Sequence, residues 1–197
     1  MTSPDQSVLN WVVDHRDSTL TSIMRILSDC GRTIPLAVVV LAAVVVLLAL
    51  RRFGQAAMVG IGSVVGYWIM VGLKDVTERA RPPAAEALVH ESSWSFPSGH
   101  AMMSAIVFGL IAVTVFWNTG WRWVLVLAAV ASLVIGLSRI YLAAHWLSDV
   151  LAGWLIGLAW VLLMARVFRR FRGTAAALSD ERFGQDARSG GTQKSGG

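Results

Sequence analysis

The sequence predicts an all-α protein, a polytopic membrane helix bundle of about five spanning helices preceded by amphipathic helices in the membrane interface. Three observations carry this expectation. Of 197 residues, 55% are hydrophobic and only 15% are charged. The apolar residues fall into long runs close to the roughly 20 that a helix needs to cross a bilayer. Lys and Arg gather beside the ends of those runs, where flanking charge sets helix orientation.

Taken in order, Val8, Trp11, Val12, Ile23, Met24 and Leu27 recur near helical spacing but are mixed with charge. That pattern predicts one or two amphipathic interfacial helices over residues 1–33. No cleavable signal peptide is expected, because Asp14, Arg16, Asp17 and Arg25 interrupt any apolar stretch there. The single cysteine, Cys30, excludes an internal disulfide and is read as a small buried residue. Five runs then have spanning length: 34–50, 56–73, 101–117, 121–137 and about 146–168. The short turns at 51–55 and 118–121 make the first and second spans, and the third and fourth, antiparallel neighbours. Gly62 and Gly66, and Gly153 and Gly157, lie four apart and are expected to let helices approach closely. Trp68, Trp94, Trp117, Trp121, Trp123 and Trp146 fall near span ends, as an aromatic belt would. The one long connection, 82–97, carries Pro83, Glu86, His90 and Glu91 and should arch over whatever lies at that end; His90 and Glu91 are read as solvated, with contact to a ligand headgroup the alternative. Residues 34–172 thus form an integral membrane domain, and 173–197, without apolar period, a disordered cytoplasmic tail.

The net charge of +5 does not indicate a nucleic-acid partner, because the cations are placed by helix ends. Putting Arg51 and Arg52, Arg122, and Arg166, Arg169, Arg170 and Arg172 in the cytoplasm alternates consistently through five spans. It also brings residues 74–100 and 138–149 together at the outer face.

Those two stretches hold three compact polar clusters: 74–82 (KDVTERARP), 97–100 (PSGH), and Ser138-Arg139 followed by His145 and Asp149. An ionisable group at membrane depth costs several kcal/mol and marks a functional site by default. His145 and Asp149 are four apart, so at the start of the last helix they lie on one face, one turn apart. The carboxylate can accept the Nδ1 proton and leave Nε2 basic and aimed, the arrangement of a nucleophile with its orienting group. Pro97, Ser98 and Gly99 open the third span, so its free N–H groups form a phosphate site at a helix start. Gly99 lets an oxyanion approach the main chain, and Ser98 adds a hydroxyl. No Gly-x-Ser-x-Gly elbow surrounds Ser98, which argues against its being a nucleophile. His100 is placed to protonate a leaving group. Lys74 and Arg81, seven apart, share a face if the second span continues that far, while Pro82 favours its ending there. With Arg139 they supply three cations for phosphoryl oxygens. Asp75, Glu78 and Arg79 are read as solvated or paired at the interface. The clusters lack the carboxylate density of a magnesium site, so neither metal nor cofactor is expected.

Together the clusters resemble the three-part signature of the membrane-bound type 2 phosphatidic acid phosphatase family, the lipid phosphate phosphatases. All three are present in order, the resemblance runs over 34–170, and the stretch 88–100 is similar to small bacterial members. The resemblance implies that His145 attacks phosphorus and becomes phosphohistidine, with Asp149 orienting it and His100 acting as acid. Lys74, Arg81, Ser98, Gly99 and Arg139 would bind phosphate. It implies hydrolysis of a lipid phosphate or diphosphate at the outer face of the cytoplasmic membrane, the partners being that lipid and the bilayer. Undecaprenyl diphosphate is favoured by the small size and outer-face site, and phosphatidylglycerol phosphate, phosphatidic acid and other prenyl phosphates are alternatives. Vanadate-dependent haloperoxidases share such a constellation but are larger soluble proteins. A transporter or proton-conducting protein would need charges distributed through the bilayer, and here they sit at one face.

Overall fold

The computed structural model describes the backbone of residues 3–191 and side chains through residue 170. Its regular elements are all helices: α1 (Pro4–Asp14), α2 (Ser18–Cys30), α3 (Thr33–Ala49), α4 (Phe53–Thr77), α5 (Gly99–Thr119), α6 (Trp123–Tyr141) and α7 (Leu147–Gly191). Four helical stretches are long and apolar enough to cross a membrane: α4, α5, α6 and Leu147–Arg170 of α7. The 17-residue α3 meets α2 at a 48° bend, and the pair makes a fifth span if counted as one broken helix. The chain is thus a polytopic membrane protein. The expected tail falls on a stretch where only backbone is described, as α7 continued to Gly191; residues 192–197 lie outside the described residues.

α5 is the central helix, packed by α3, α4, α6 and α7. Its apolar residues Met102, Ile106 and Leu110 are fully buried with Met58 and Val59 of α4. Glycines set the spacing. A Cβ on Gly153 of α7 would stand 2.9 Å from the Ser98 carbonyl oxygen, and one on Gly157 would stand 2.9 Å from that of Met102. Backbone cannot give way at such a distance, so α7 can reach the start of α5 only with glycine at these positions. On α4, Gly62 and Gly66 similarly admit Leu110 and Ile106 of α5. The outer faces keep Val38, Leu41, Ile61, Trp68, Val126, Leu127 and Leu155 exposed, as a lipid-facing surface requires.

α4 ends, α5 begins, α6 ends and α7 begins at one end of the bundle. α1 and α2 dock there as well: the Tyr141 hydroxyl accepts from the Asp17 amide (3.0 Å), and Arg16 donates to the Tyr141 carbonyl (3.2 Å). The turns 50–52 and 120–122 lie at the other end, where Gln55 and Asn118 exchange side-chain hydrogen bonds of 3.2 and 2.9 Å. Two sequence expectations need correction. Cys30 is exposed, because it closes α2 at the bend rather than packing inside. Lys74 and Arg81 do not share a helix: α4 stops at Thr77, with Glu78 left-handed (φ 42°), and Arg81 lies in the following loop.

Candidate active site

The junction of α6 and α7 places the histidine. Ala143 adopts a left-handed conformation (φ 51°), and the amides of Ala144 and His145 fold back onto the Arg139 carbonyl at 3.0 and 3.3 Å. This compact turn brings the His145 ring against the end of α6. α7 starts only at Leu147, so His145 precedes the helix instead of sharing its face with Asp149. Asp149 instead accepts from the Trp146 amide (3.0 Å), as an acidic residue in the first turn of a capping box does. Its buried carboxylate is saturated with donors: Ser95 Oγ and Arg79 Nη1, each at 2.5 Å, complete the set.

His145 Nδ1 stands 3.7 Å from Asp149 Oδ2, beyond hydrogen-bond length, and has no hydrogen-bond partner among the described residues. His145 Nε2 is 3.2 Å from Arg81 Nη1, which can only donate, so Nε2 is the acceptor and Nδ1 carries the proton. Burial pushes the imidazole down to about 4; the Asp149 carboxylate opposes this, and the Arg81 and Arg139 cations reinforce it. His145 is therefore neutral at neutral pH, with the Nε2 lone pair turned towards Arg81 at the polar end of a cavity between α3, α4 and α5.

The loop after α4 supplies cations and their counter-charges. Arg81 donates from Nε to the Ser93 carbonyl (2.7 Å) and from Nη1 to that of Ala144 (2.6 Å), which ties the loop to the α6–α7 junction. Lys74, 8% exposed, donates to the Trp94 carbonyl at 2.5 Å. Arg139, 2% exposed, forms an ion pair with Glu91 and donates to Ser28 Oγ at 2.5 Å. Burial pushes Glu91 up, but Arg139 and Arg81 outweigh it and hold the carboxyl below the usual range. Glu91, read from sequence as a solvated loop residue, is thus the counter-ion of a buried arginine.

A cavity of about 650 Å³ opens between α3, α4 and α5. Its polar end is lined by Lys74, Arg81, Glu91, Gly99, His100 and His145. Its apolar remainder runs along Leu36, Val40 and Val44 of α3 and Val64, Tyr67 and Val71 of α4. His100 reaches it because Gly31 makes room: a Cβ there would lie 2.9 Å from His100 Cδ2. His100 Nε2 has no hydrogen-bond partner among the described residues. Gly99 presents bare backbone beside Lys74, whose Cε would be 3.9 Å from a Cβ at that position. Ser98 differs from expectation. Its Oγ is fully buried without a partner among the described residues, outside the cavity lining, while its amide donates to the Asp149 carbonyl (3.0 Å) and locks α5 to α7. Arg139 and Asp149 also stand behind the wall rather than in it.

Sequence reasoning missed Ser28, Ser95 and Asp5 as neighbours of this site, and read Arg79 as solvated or paired and Glu91 as solvated in the loop. A signal existed for Glu91: a buried arginine demands an anion, and the covering loop offers only Glu86 and Glu91. Arg79 lies within the first cluster and Ser95 in the covering loop, whereas Ser28 and Asp5 come from distant segments and carry no local mark.

The sequence and the fold are similar to those of known proteins. Residues 55–172 match the family model described as the PAP2 superfamily. The chain is 41% identical over 108 residues to phosphatidylglycerophosphatase B of Bacillus subtilis, a stretch that is 51% of this chain and 53% of the relative. It thus spans about half the length of that relative. It is 29% identical over 160 residues to an undecaprenyl-diphosphatase of Sulfolobus acidocaldarius, 75% of this chain and 70% of the relative. Among solved structures, the transmembrane PAP2 type phosphatidylglycerolphosphate phosphatase of Bacillus subtilis superposes with a TM-score of 0.79 at 27% identity. That superposition covers 84% of this chain and 85% of the other. The fold is also that of Aquifex aeolicus LpxE, with a TM-score of 0.66 at 20% identity, over 84% and 96% of the two chains.

Proposed function

Because this chain belongs to the PAP2 superfamily, we propose that it is a metal-independent lipid phosphate phosphatase working through a phosphohistidine. The observation that carries the reading is the cavity. Two cations and two histidines stand at one end of an apolar groove running between α3 and α4, the shape of a phosphorylated lipid. His145 Nε2 attacks phosphorus while the bond to the lipid oxygen, or to the lipid's inner phosphate, breaks. Lys74, Arg81 and the first amides of α5 hold the phosphoryl oxygens, whose charge spreads in the transition state. His100 gives the departing oxygen its proton. In the second step His100 takes a proton from water, the water oxygen bonds to phosphorus, and the N–P bond breaks to release phosphate.

Arg139 enters this scheme from behind. Its pairing with Glu91 leaves it to fix the loop over the cavity unless a substrate phosphate draws it forward. Two substrates follow from the relatives, phosphatidylglycerol phosphate and undecaprenyl diphosphate, and the groove's apolar lining suits either. The cytoplasmic membrane is the proposed location, with the site facing outward, because Arg51, Arg52, Arg122 and Arg166 all belong to the opposite end of the bundle.

Purified protein assayed for phosphate release from undecaprenyl diphosphate, phosphatidylglycerol phosphate and phosphatidic acid should be active in EDTA and inhibited by vanadate. Loss of rate in EDTA, restored by magnesium, overturns metal independence; inactivity on all three lipids overturns the substrate class. In a Cys30→Ser background, Ala84→Cys should react with an impermeant maleimide in intact cells and Thr119→Cys should not. The reverse pattern would overturn the outward orientation.

A further inference from the structure

We propose that Asp5, on the N-terminal helix α1, is a positioning residue that acts through Arg79 and Asp149 on the His145 imidazole. The inference rests on the reading of His145 as the nucleophile. Asp149 is fully buried, and a buried carboxylate needs charged or hydrogen-bonding partners to remain ionised. Arg79 provides one, from Nη1 to Asp149 Oδ1 at 2.5 Å. The same guanidinium donates from Nη2 to Asp5 Oδ2 at 2.7 Å, so it bridges two carboxylates. Asp5 also accepts from the Ser148 amide (2.9 Å) and from Ser148 Oγ (2.6 Å), and Ser148 Oγ in turn accepts from Arg79 Nη1 (2.7 Å). The Trp146 ring, 6.0 Å from the guanidinium centre, covers it. Burial pushes the Asp5 carboxyl up, but the bonds from Ser148 and Arg79 outweigh that and keep it below the ordinary carboxylate range.

The charge arithmetic gives Asp5 a chemical consequence. Attack on phosphorus makes the imidazole of His145 cationic, and the nearest anion, Asp149, stabilises that charge. An Arg79–Asp149 pair alone is neutral and would blunt the effect. A second carboxylate on Arg79 gives the Asp5–Arg79–Asp149 group a net negative charge on the Nδ1 side of the ring, opposite the Arg81 cation at Nε2, and Arg79, bonded once to each carboxylate, fixes where Asp149 points. α1 lies outside the family's three motifs, yet through this bridge it completes the support of the nucleophile.

Capping of α7 through the Ser148 amide is a purely structural role for Asp5, and Asp5→Asn separates the two because asparagine keeps an acceptor and loses the charge. The test uses the full chain in detergent micelles with a lipid phosphate substrate. Asp5→Asn should lower kcat about tenfold, an ordinary coupling within one hydrogen-bonded network. KM should stay within about twofold and thermal unfolding should be unchanged. Asp5→Glu, which keeps the charge, should recover most of the rate. In an Arg79→Gln background, Asp5→Asn should cost less than about twofold more, since the bridge is already broken. Arg79→Lys, which keeps one charge but cannot fork between two carboxylates, is the companion variant should Asp5→Asn fail to fold; it too should lose kcat. Wild-type kcat in Asp5→Asn or Arg79→Lys, or an equal loss from Asp5→Asn with and without Arg79, overturns the proposal. An active His145→Ala enzyme overturns the nucleophile reading and this inference together; an inactive one beside a fully active Asp5→Asn overturns this inference alone.

Discussion

The two ends of the bundle handle polarity in opposite ways. At the end where α4, α6, α5 and α7 meet, Lys74, Arg139, His145 and Asp149 are all buried. Each is tied to a named partner there: Trp94, Glu91, Arg81 and Arg79. At the other end Gln55 and Asn118 pair through neutral amides, and Arg51 and Arg52 are exposed. Burying charge at one end opposes folding unless every group is paired. One end thus buries paired charge against its folding cost, and the far end closes the bundle with a neutral pair and exposed cations.

The largest test of that contrast is His145→Ala. It should remove turnover by at least about 10³-fold, as loss of a covalent nucleophile does, while the protein stays folded and helical by circular dichroism. A variant retaining a tenth of wild-type kcat would sink the assignment. Next comes His100→Ala. With a lipid alkoxide leaving group the loss should be about 10²–10⁴-fold, the usual scale of general acid–base help. With p-nitrophenyl phosphate, whose phenolate leaves without a proton, the loss should be far smaller. An equal loss on both substrates would make His100 a phosphate-binding donor instead.

A pH profile sharpens the comparison at smaller amplitude. The folded-state pKa of His145 is lowered to about 4, so the reactive neutral ring persists through the ordinary imidazole range and is lost only as pH falls through about 4. Single-turnover phosphoenzyme formation from p-nitrophenyl phosphate should therefore hold its His145-dependent rate at pH 5.5; an acid limb near about 6.5, the unperturbed value, would contradict the burial argument. The smallest effect belongs to the far end. Gln55→Ala should leave kcat of the folded enzyme unchanged and cost about 0.6 kcal/mol of stability, the average for side-chain hydrogen bonds between membrane helices. A large drop in kcat with unchanged unfolding would show that the ends are coupled.

Much of the site was legible because its motifs are local. Gly99 and His100 open α5 one after the other, and Arg139, His145 and Asp149 fall within a single helix–turn–helix junction, so spacing alone brings them near one another. The helical face assumed for His145 and Asp149 was not legible, because the Ala143 turn delays α7 until Leu147. Nor was the second-span helix carrying both Lys74 and Arg81, since Glu78 breaks it at a left-handed residue that no glycine announces.

Apolar run length and side-chain functional groups are local properties, so a membrane helix bundle and the residues able to do phosphoryl chemistry are legible in the chain alone. Only the tertiary structure decided which charge offsets which. Glu91 reaches Arg139 across 48 residues, and Asp5 reaches Ser148 across 143. Pairing at such separations depends on how helices pack, and the packing here turns on glycines at the contacts of α5 with α4 and α7. Whether Lys74 and Arg81 face a cavity while Arg139 and Asp149 stand behind its wall is likewise a property of the assembled bundle, since burial of a charge is set by everything around it.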